Sequence, residues 1–228
     1  MPTRKNVQGD KPAGGTSCSL DSTHFVTTVL HQFAESLGTA IDAKDPHTSM
    51  HSDEVAEVSH ALALTMGLSP READIIHVAA HLHDIGKIGV PDAVLRKQGA
   101  LNTKEWQAIR RHPELGANIL KPVAALRDLG VVDMVLHHHE RWDGKGYPAR
   151  LRGVQIPLGA RIISLADSLS AMLQNRPYRN AMDFTKAHDE ILRCSATQFD
   201  PSVVIAFRKS ADTILKMVSY LSNKEQAA

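Results

Sequence analysis

Ile75-Ile76-His77-Val78-Ala79-Ala80-His81-Leu82-His83-Asp84-Ile85-Gly86-Lys87-Ile88-Gly89 runs from an apolar, helix-patterned stretch into an adjacent histidine and carboxylate, then two glycines and a lysine. Ile75, Ile76, Val78, Ala79, Ala80 and Leu82 make the helix apolar nearly all round, and such a helix is central to its domain. Ser69-Pro70-Arg71-Glu72 marks its start, a capping box with proline at the first helical position. At the other end Gly86 and Gly89 let the backbone turn sharply. Imidazole and carboxylate together suit first-row divalent metals, and an aspartate has two oxygens with which to bridge a pair of ions. His83 and Asp84 are therefore read as the hub of a metal site. A helix-end histidine beside a capping aspartate looks the same in isolation, so the rest of the chain has to decide. His77 and His81, one turn apart, are read as structural.

On the N-terminal side, residues 1 to 20, rich in Gly, Pro, Ser and Thr, read as a disordered lead-in, and residues 21 to 228 as one domain. Phe25, Val29, Phe33, Leu37 and Ile41 repeat every four residues and predict one apolar stripe on a helix from Asp21 to about Lys44, broken by Asp45-Pro46. A second helix carries Val55, Val58, Leu62 and Met66 and stops near Gly67. His47 and His51 precede that stripe at i, i+4, a spacing that lets both rings converge on a metal. His47 taken alone reads as a solvated side chain.

On the C-terminal side, residues 91 to 100 read as a loop, and Asn102 with Glu105 opens a helix that Pro113 interrupts just after His112. His112 is placed either to enter a site or to remain a surface helix-end residue. Pro122 to about His139 reads as one apolar helix ending in His137-His138-His139-Glu140. Neighbouring rings on a helix point about 100° apart, so two of the three histidines can share a site. A glycine-rich loop with Gly144, Gly146, Tyr147 and Pro148 follows, open to a ligand and able to offer stacking surface. The next helix buries an acid, Asp167, for which a metal is a good partner. Arg176 and Arg179 then suit phosphate oxygens. Helices from Asp183 to about Arg193 and from Asp200-Pro201 onward close the chain. No segment alternates as a strand does, so the fold is read as all-α.

Composition limits the ligand. The 228 residues are 43% hydrophobic and 22% charged with a formal net charge of +1, so no electrostatic footprint for a nucleic-acid polymer or a membrane is present. Two distant cysteines, Cys18 and Cys194, match no metal or redox spacing and read as free thiols, which together with the N-terminal residues gives a cytoplasmic expectation.

Taken in order, His51, His83-Asp84, Lys87, His112, His138-His139-Glu140, Gly146-Tyr147-Pro148, Asp167 and Arg176-Pro177-Tyr178-Arg179 resemble the HD-GYP phosphodiesterases, a subgroup of the HD metal-dependent phosphohydrolases. The resemblance implies a helical bundle with two or three divalent ions, iron or manganese, in its core. It implies hydrolysis of cyclic di-GMP, or a related cyclic dinucleotide, to the linear dinucleotide or GMP through a metal-bridging hydroxide. Carried over by position, His51, His83, Asp84, His112, His138, His139 and Asp167 are the ligands, with Asp84 bridging. Lys87 contacts the scissile phosphate, and Gly146, Tyr147, Pro148, Arg176 and Arg179 hold the substrate. Two positions depart from the family pattern. His47 stands where members carry tyrosine or, with three metals, glutamate, and is a candidate ligand for a third ion. Ser170 stands where an aspartate is frequent, and its loss is expected to weaken the placing of Lys87 or of the attacking water. A second reading, a catalytically weak domain that senses the nucleotide or recruits a diguanylate cyclase, rests on Ser170. Apolar stripes on the first and last helices offer surface for a homodimer.

Overall fold

Ser69 starts the central helix as its sequence dictates: its hydroxyl accepts from Glu72 N–H at 3.3 Å, while its own N–H donates to the Glu72 carboxylate at 2.8 Å. The computed structural model describes residues 18–45, 50–175 and 180–226. The helices are α1 (Cys18–Lys44), α2 (His51–Thr65), α3 (Pro70–Leu82), α4 (Asp92–Leu95), α5 (Thr103–Arg110), α6 (His112–Leu120), α7 (Ala124–Asp128), α8 (Val131–His137), α9 (Leu158–Leu173), α10 (Phe184–Arg193) and α11 (Pro201–Gln226), with 3-10 turns at Ile85–Gly89 and Gly153–Gln155. Among the described residues there is no strand, and one isolated bridge joins Ser195 to Phe199, so the all-α reading holds.

α3 is central as expected. It packs on α1, α2, α8 and α9, and Ala73, Ile76, Val78, Ala79, Ala80 and Leu82 are all buried in the main core. α2 lies against α3, α9 and α11, and the fully buried Leu62, Leu165, Leu169, Phe207 and Ile214 are among the largest side chains in that core. The start of α2 is held from outside the helix: Asp42 on α1 accepts from Ser52 N–H at 2.9 Å and from the Ser52 hydroxyl at 3.0 Å, doing from a distance what a local N-cap does.

Four sequence expectations shift. α1 begins at Cys18 rather than Asp21. Its every-fourth-residue stripe does not stay buried, since Val29 is 45% and Phe33 64% exposed while Ala34 and Ile41 line the core. A step of four residues overshoots the helical turn by about 40°, so the stripe winds off the packed face and the true seam runs through Ala34, Leu37 and Ile41. The stretch read as a loop after Pro91 contains the short α4. The helix expected over 122–139 is two helices, because Gly130 takes φ 77°, a left-handed conformation that an α-helix cannot contain.

Candidate metal centre

Five elements bring their histidines and acids to one place through their termini. His83 follows the last residue of α3 and Asp84 opens the 3-10 turn after it; His51 and His112 are the first residues of α2 and α6; His138 and His139 follow α8. Asp167 comes from the middle of α9. His51, His83, His112 and His138 are each no more than 2% exposed, and Asp84 is 5%. Asp84 is the shared member. Its Oδ1 lies 3.1 Å from His112 Nε2, and its Oδ2 lies 3.3 Å from His83 Nε2 and 3.9 Å from His51 Nε2. Asp167 reaches His51 Nε2 at 3.3 Å and His139 Nδ1 at 3.9 Å.

Hydrogen bonds on the far side of the rings fix their direction. His83, His112 and His138 each present Nδ1 to the carbonyl three residues earlier, of Ala80 at 2.6 Å, Ile109 at 2.8 Å and Val135 at 2.7 Å. With Nδ1–H donated there, Nε2 of the neutral ring is a lone pair aimed into the cluster, the arrangement by which metal-ligating imidazoles are oriented. Nε2 of His83 is buried with no hydrogen-bond partner, and Nε2 of His112 faces Nε2 of His138 at 3.2 Å. In the neutral tautomers that is lone pair against lone pair, and a shared cation relieves it. The ligand atoms form overlapping groups, each within 4.8 Å: His51, His83 and Asp167; His83, Asp84 and His138; His112, His138 and His139. Mixed imidazole and carboxylate donors fit first-row divalent ions, so the residues present fit the metals that the resemblance implies.

The electrostatics agree. Burial alone would raise the Asp84 carboxyl, but Lys87, His83 and His112 hold it well below its ordinary value. Burial would lower the His83 imidazolium, yet Asp84 beside it brings the group up to about 9. His139 is driven down to about 3, first by burial and then by His112, and His138 is lowered well below its ordinary value, first by burial and then by His139. Lys87 Nζ sits between Asp84 Oδ2 at 2.8 Å and Asp45 Oδ2 at 2.9 Å.

Of the triple histidine, His138 and His139 turn into the cluster while His137 Nδ1 lies 3.7 Å from Glu140. Glu140 is buried and accepts from Ala149 N–H at 2.7 Å, which ties down the loop carrying Gly146, Tyr147 and Pro148. A Cβ on Gly146 would fall 2.4 to 2.6 Å from backbone atoms of His139, Glu140 and Arg141, so only glycine fits that approach. Tyr147 lies 4.9 Å from the His139 ring between centroids, with the Arg110 guanidinium 5.3 Å over its face. His47, Arg176 and Arg179 lie outside the described residues.

Three contributors were not found by sequence reasoning. Asp45 reads in the chain as a helix breaker yet holds Lys87, 42 positions away. Arg110 carried no local signal. Glu54 accepts a short hydrogen bond from the Ser170 hydroxyl, which itself lies 3.0 Å from His51 Nδ1. Ser170 thus contacts His51, while Lys87 is held by Asp84 and Asp45.

The chain is 39% identical over 181 residues to a Thermotoga maritima protein named cyclic di-GMP phosphodiesterase, a match covering 79% of this chain and 49% of the relative. It is 35% identical over 168 residues to a Vibrio cholerae protein named 3'3'-cGAMP-specific phosphodiesterase 2, covering 74% of this chain and 32% of the relative. The chain thus spans half or less of the length of these relatives. A crystal structure of a cyclic GMP-AMP specific phosphodiesterase from Vibrio cholerae superposes with a TM-score of 0.64 at 19% identity, covering 80% of this chain and 49% of that one, a likeness of fold. The HD domain family model matches residues 35–203, from α1 through the start of α11 and across every histidine and acid of the cluster, and the chain accordingly belongs to the HD domain family.

Proposed function

We propose that the protein is a metal-dependent phosphodiesterase that hydrolyses a cyclic dinucleotide, cyclic di-GMP first among them, to the linear dinucleotide or GMP. The observation that carries this reading is Asp84, shared by several imidazoles with Lys87 at 2.8 Å. His51, His83, Asp84, His112, His138, His139 and Asp167 would hold two ions, iron or manganese, and His47 a third. When bound, the ions supply Lewis acidity to the phosphoryl group and acidify the attacking water.

The chain's own residues do the rest. Asp84 and Asp45 override the effect of burial and hold Lys87 in its cationic form, so its charge is available where negative charge develops on the phosphate. Tyr147, half-buried beside His139, offers a face on which a base stacks, and Arg110 above it adds positive charge. Arg176 and Arg179 take the second phosphate. The weak-enzyme reading, with recruitment of a diguanylate cyclase, rests on Ser170, whose hydroxyl here lies between Glu54 and His51. Residues 21–228 act as one cytoplasmic domain in this proposal, and homodimer formation through the exposed apolar residues of α1 is compatible with it. No helix of the described residues is long and apolar enough to cross a membrane.

The test is turnover of cyclic di-GMP, and of cyclic GMP-AMP in parallel, by protein loaded anaerobically with iron or manganese, with products separated chromatographically. A linear product or GMP that disappears with Asp84→Ala supports the reading. Two or more bound metal equivalents with neither substrate cleaved would refute it.

A further inference from the structure

Around α3 from the metal centre lies a second group of imidazoles. His77 and His81 are one turn apart and share a face of α3. His81 and His83 are two residues apart, a rotation of about 200°, so the two groups point to opposite sides of the helix. From α1, His31 stacks on His77 with 4.5 Å between ring centroids and meets His81 edge-on at 6.0 Å. From α2, His60 lies edge-on to His77 at 5.6 Å. One ring nitrogen from each of His31, His77 and His81 lies within 4.8 Å of the others.

Ordinary packed histidines satisfy their nitrogens, and these do not. His77 and His81 are 6% and 4% exposed, and Nδ1 of each is buried without a hydrogen-bond partner, as is Oδ1 of Asp53. A carboxylate stands behind His77, with Glu57 Oε1 3.6 Å from Nε2, opposite the unpartnered Nδ1; Asp53 Oδ1 lies 3.6 Å from His81 Nδ1, on the side of that ring's unpartnered nitrogen, and Asp74 Oδ1 is 3.3 Å from Nε2 of the neighbouring His60. Acids placed beyond imidazoles raise the basicity of those rings toward a metal and set their orientation. Three imidazoles in an acidic surround select a borderline ion such as zinc over magnesium or calcium. A tetrahedral site with Zn–N near 2.0 Å places its nitrogens about 3.3 Å apart, so side-chain rotation closes the set.

We propose that His31, His77 and His81 bind one zinc-type divalent ion that fastens α1 to α3, at a site separate from the hydrolytic centre. The attachment of α1 matters to that centre. Its C-terminal end supplies Asp42, which caps α2 beside His51, and Asp45, which holds Lys87, while Lys44 Nζ donates to the Ile88 carbonyl at 2.8 Å in the turn after Asp84. An ion bridging His31 to α3 therefore steadies the helix from which those contacts are made.

The experiment strips the full chain of metal, equilibrates it with zinc, and measures zinc content together with amide exchange across α1. Wild type is compared with His31→Asn, whose ring is half-buried, and with His77→Asn/His81→Asn. The comparison is repeated in an Asp84→Ala background, so that a change at the hydrolytic centre is not mistaken for one here. The expected result is one zinc equivalent fewer in both variants in both backgrounds, and slower exchange of residues 28–44 on adding zinc in wild type but not in His31→Asn. Should the double variant fail to fold, His31→Asn carries the test. Equal zinc content in wild type and His31→Asn overturns the site; an extra equivalent in wild type without added protection of α1 overturns the fastening role.

Discussion

Ser170 is where one hydroxyl decides how a buried imidazole points. Its O–H donates to Glu54, so it accepts from His51 Nδ1–H and leaves His51 Nε2 free to face Asp167 and Asp84. Ser170→Ala removes that acceptor, and metal affinity is expected to fall about 10- to 100-fold, as when other partners of metal-bound histidines are lost. Competition with a chromophoric chelator measures it, and an unchanged affinity would show that the relay does nothing. In the proposed function Lys87 acts differently, through charge at the reacting phosphate. Lys87→Met is expected to lower kcat by about 10²- to 10³-fold, the usual cost of one stabilising donor. Metal content in that variant should stay at the wild-type level; parallel loss of metal would make Lys87 a structural partner of Asp84 and nothing more.

The 3-10 turn Ile85–Gly89 and the start of α6 approach so closely that Gly86 has no room for a side chain. A Cβ there would lie 1.9 Å from the His112 carbonyl and 2.5 Å from Gly116 N, both backbone atoms. Neither can rotate away, so Gly86→Ala must push α6 and carry His112 with it. Overpacking of this kind costs at least about 1–3 kcal/mol. Thermal unfolding with metal content followed alongside should show both stability and metal reduced. Gly99→Ala is the matched control, since nothing lies within 4 Å of its added Cβ; its effect should stay within about 0.5 kcal/mol.

Acid and base act on the whole chain through the same cluster. Burial in the folded state pushes the His139 imidazolium down to about 3 from 6.5, and His138 is likewise lowered, so the unfolded chain gains protons first as pH falls below 6.5. Their contribution to stability is present above 6.5 and is lost on acidification. His83 has the opposite sign: raised to about 9, it contributes below 6.5 and loses that contribution as pH rises through 9. Metal-free protein should therefore be most stable near neutrality and lose stability on both sides. Urea unfolding with chelator present, from pH 5 to pH 9, checks this, and stability rising steadily from pH 7 to pH 5 would contradict the acid limb. Saturating metal should raise stability by mass action and flatten the alkaline limb, because the ion replaces the proton on the ring.

Much of this protein could be read along the chain. The capping boxes at Ser69-Glu72 and Asn102-Glu105 form as their spacing predicts, Asp183 caps α10, and His83-Asp84 follows a buried helix. These depend on neighbours within one turn, where sequence distance and spatial distance agree. Family membership was readable too, because the order of His51, His83-Asp84, His112, His138-His139 and Asp167 is a property of the chain. The tertiary structure alone decided which face of α1 is buried, that Asp45 holds Lys87, that Ser170 orients His51 through Glu54, and that His31 joins His77 and His81. Each of these depends on residues from different elements, and their meeting depends on how the helices cross, which no local pattern encodes.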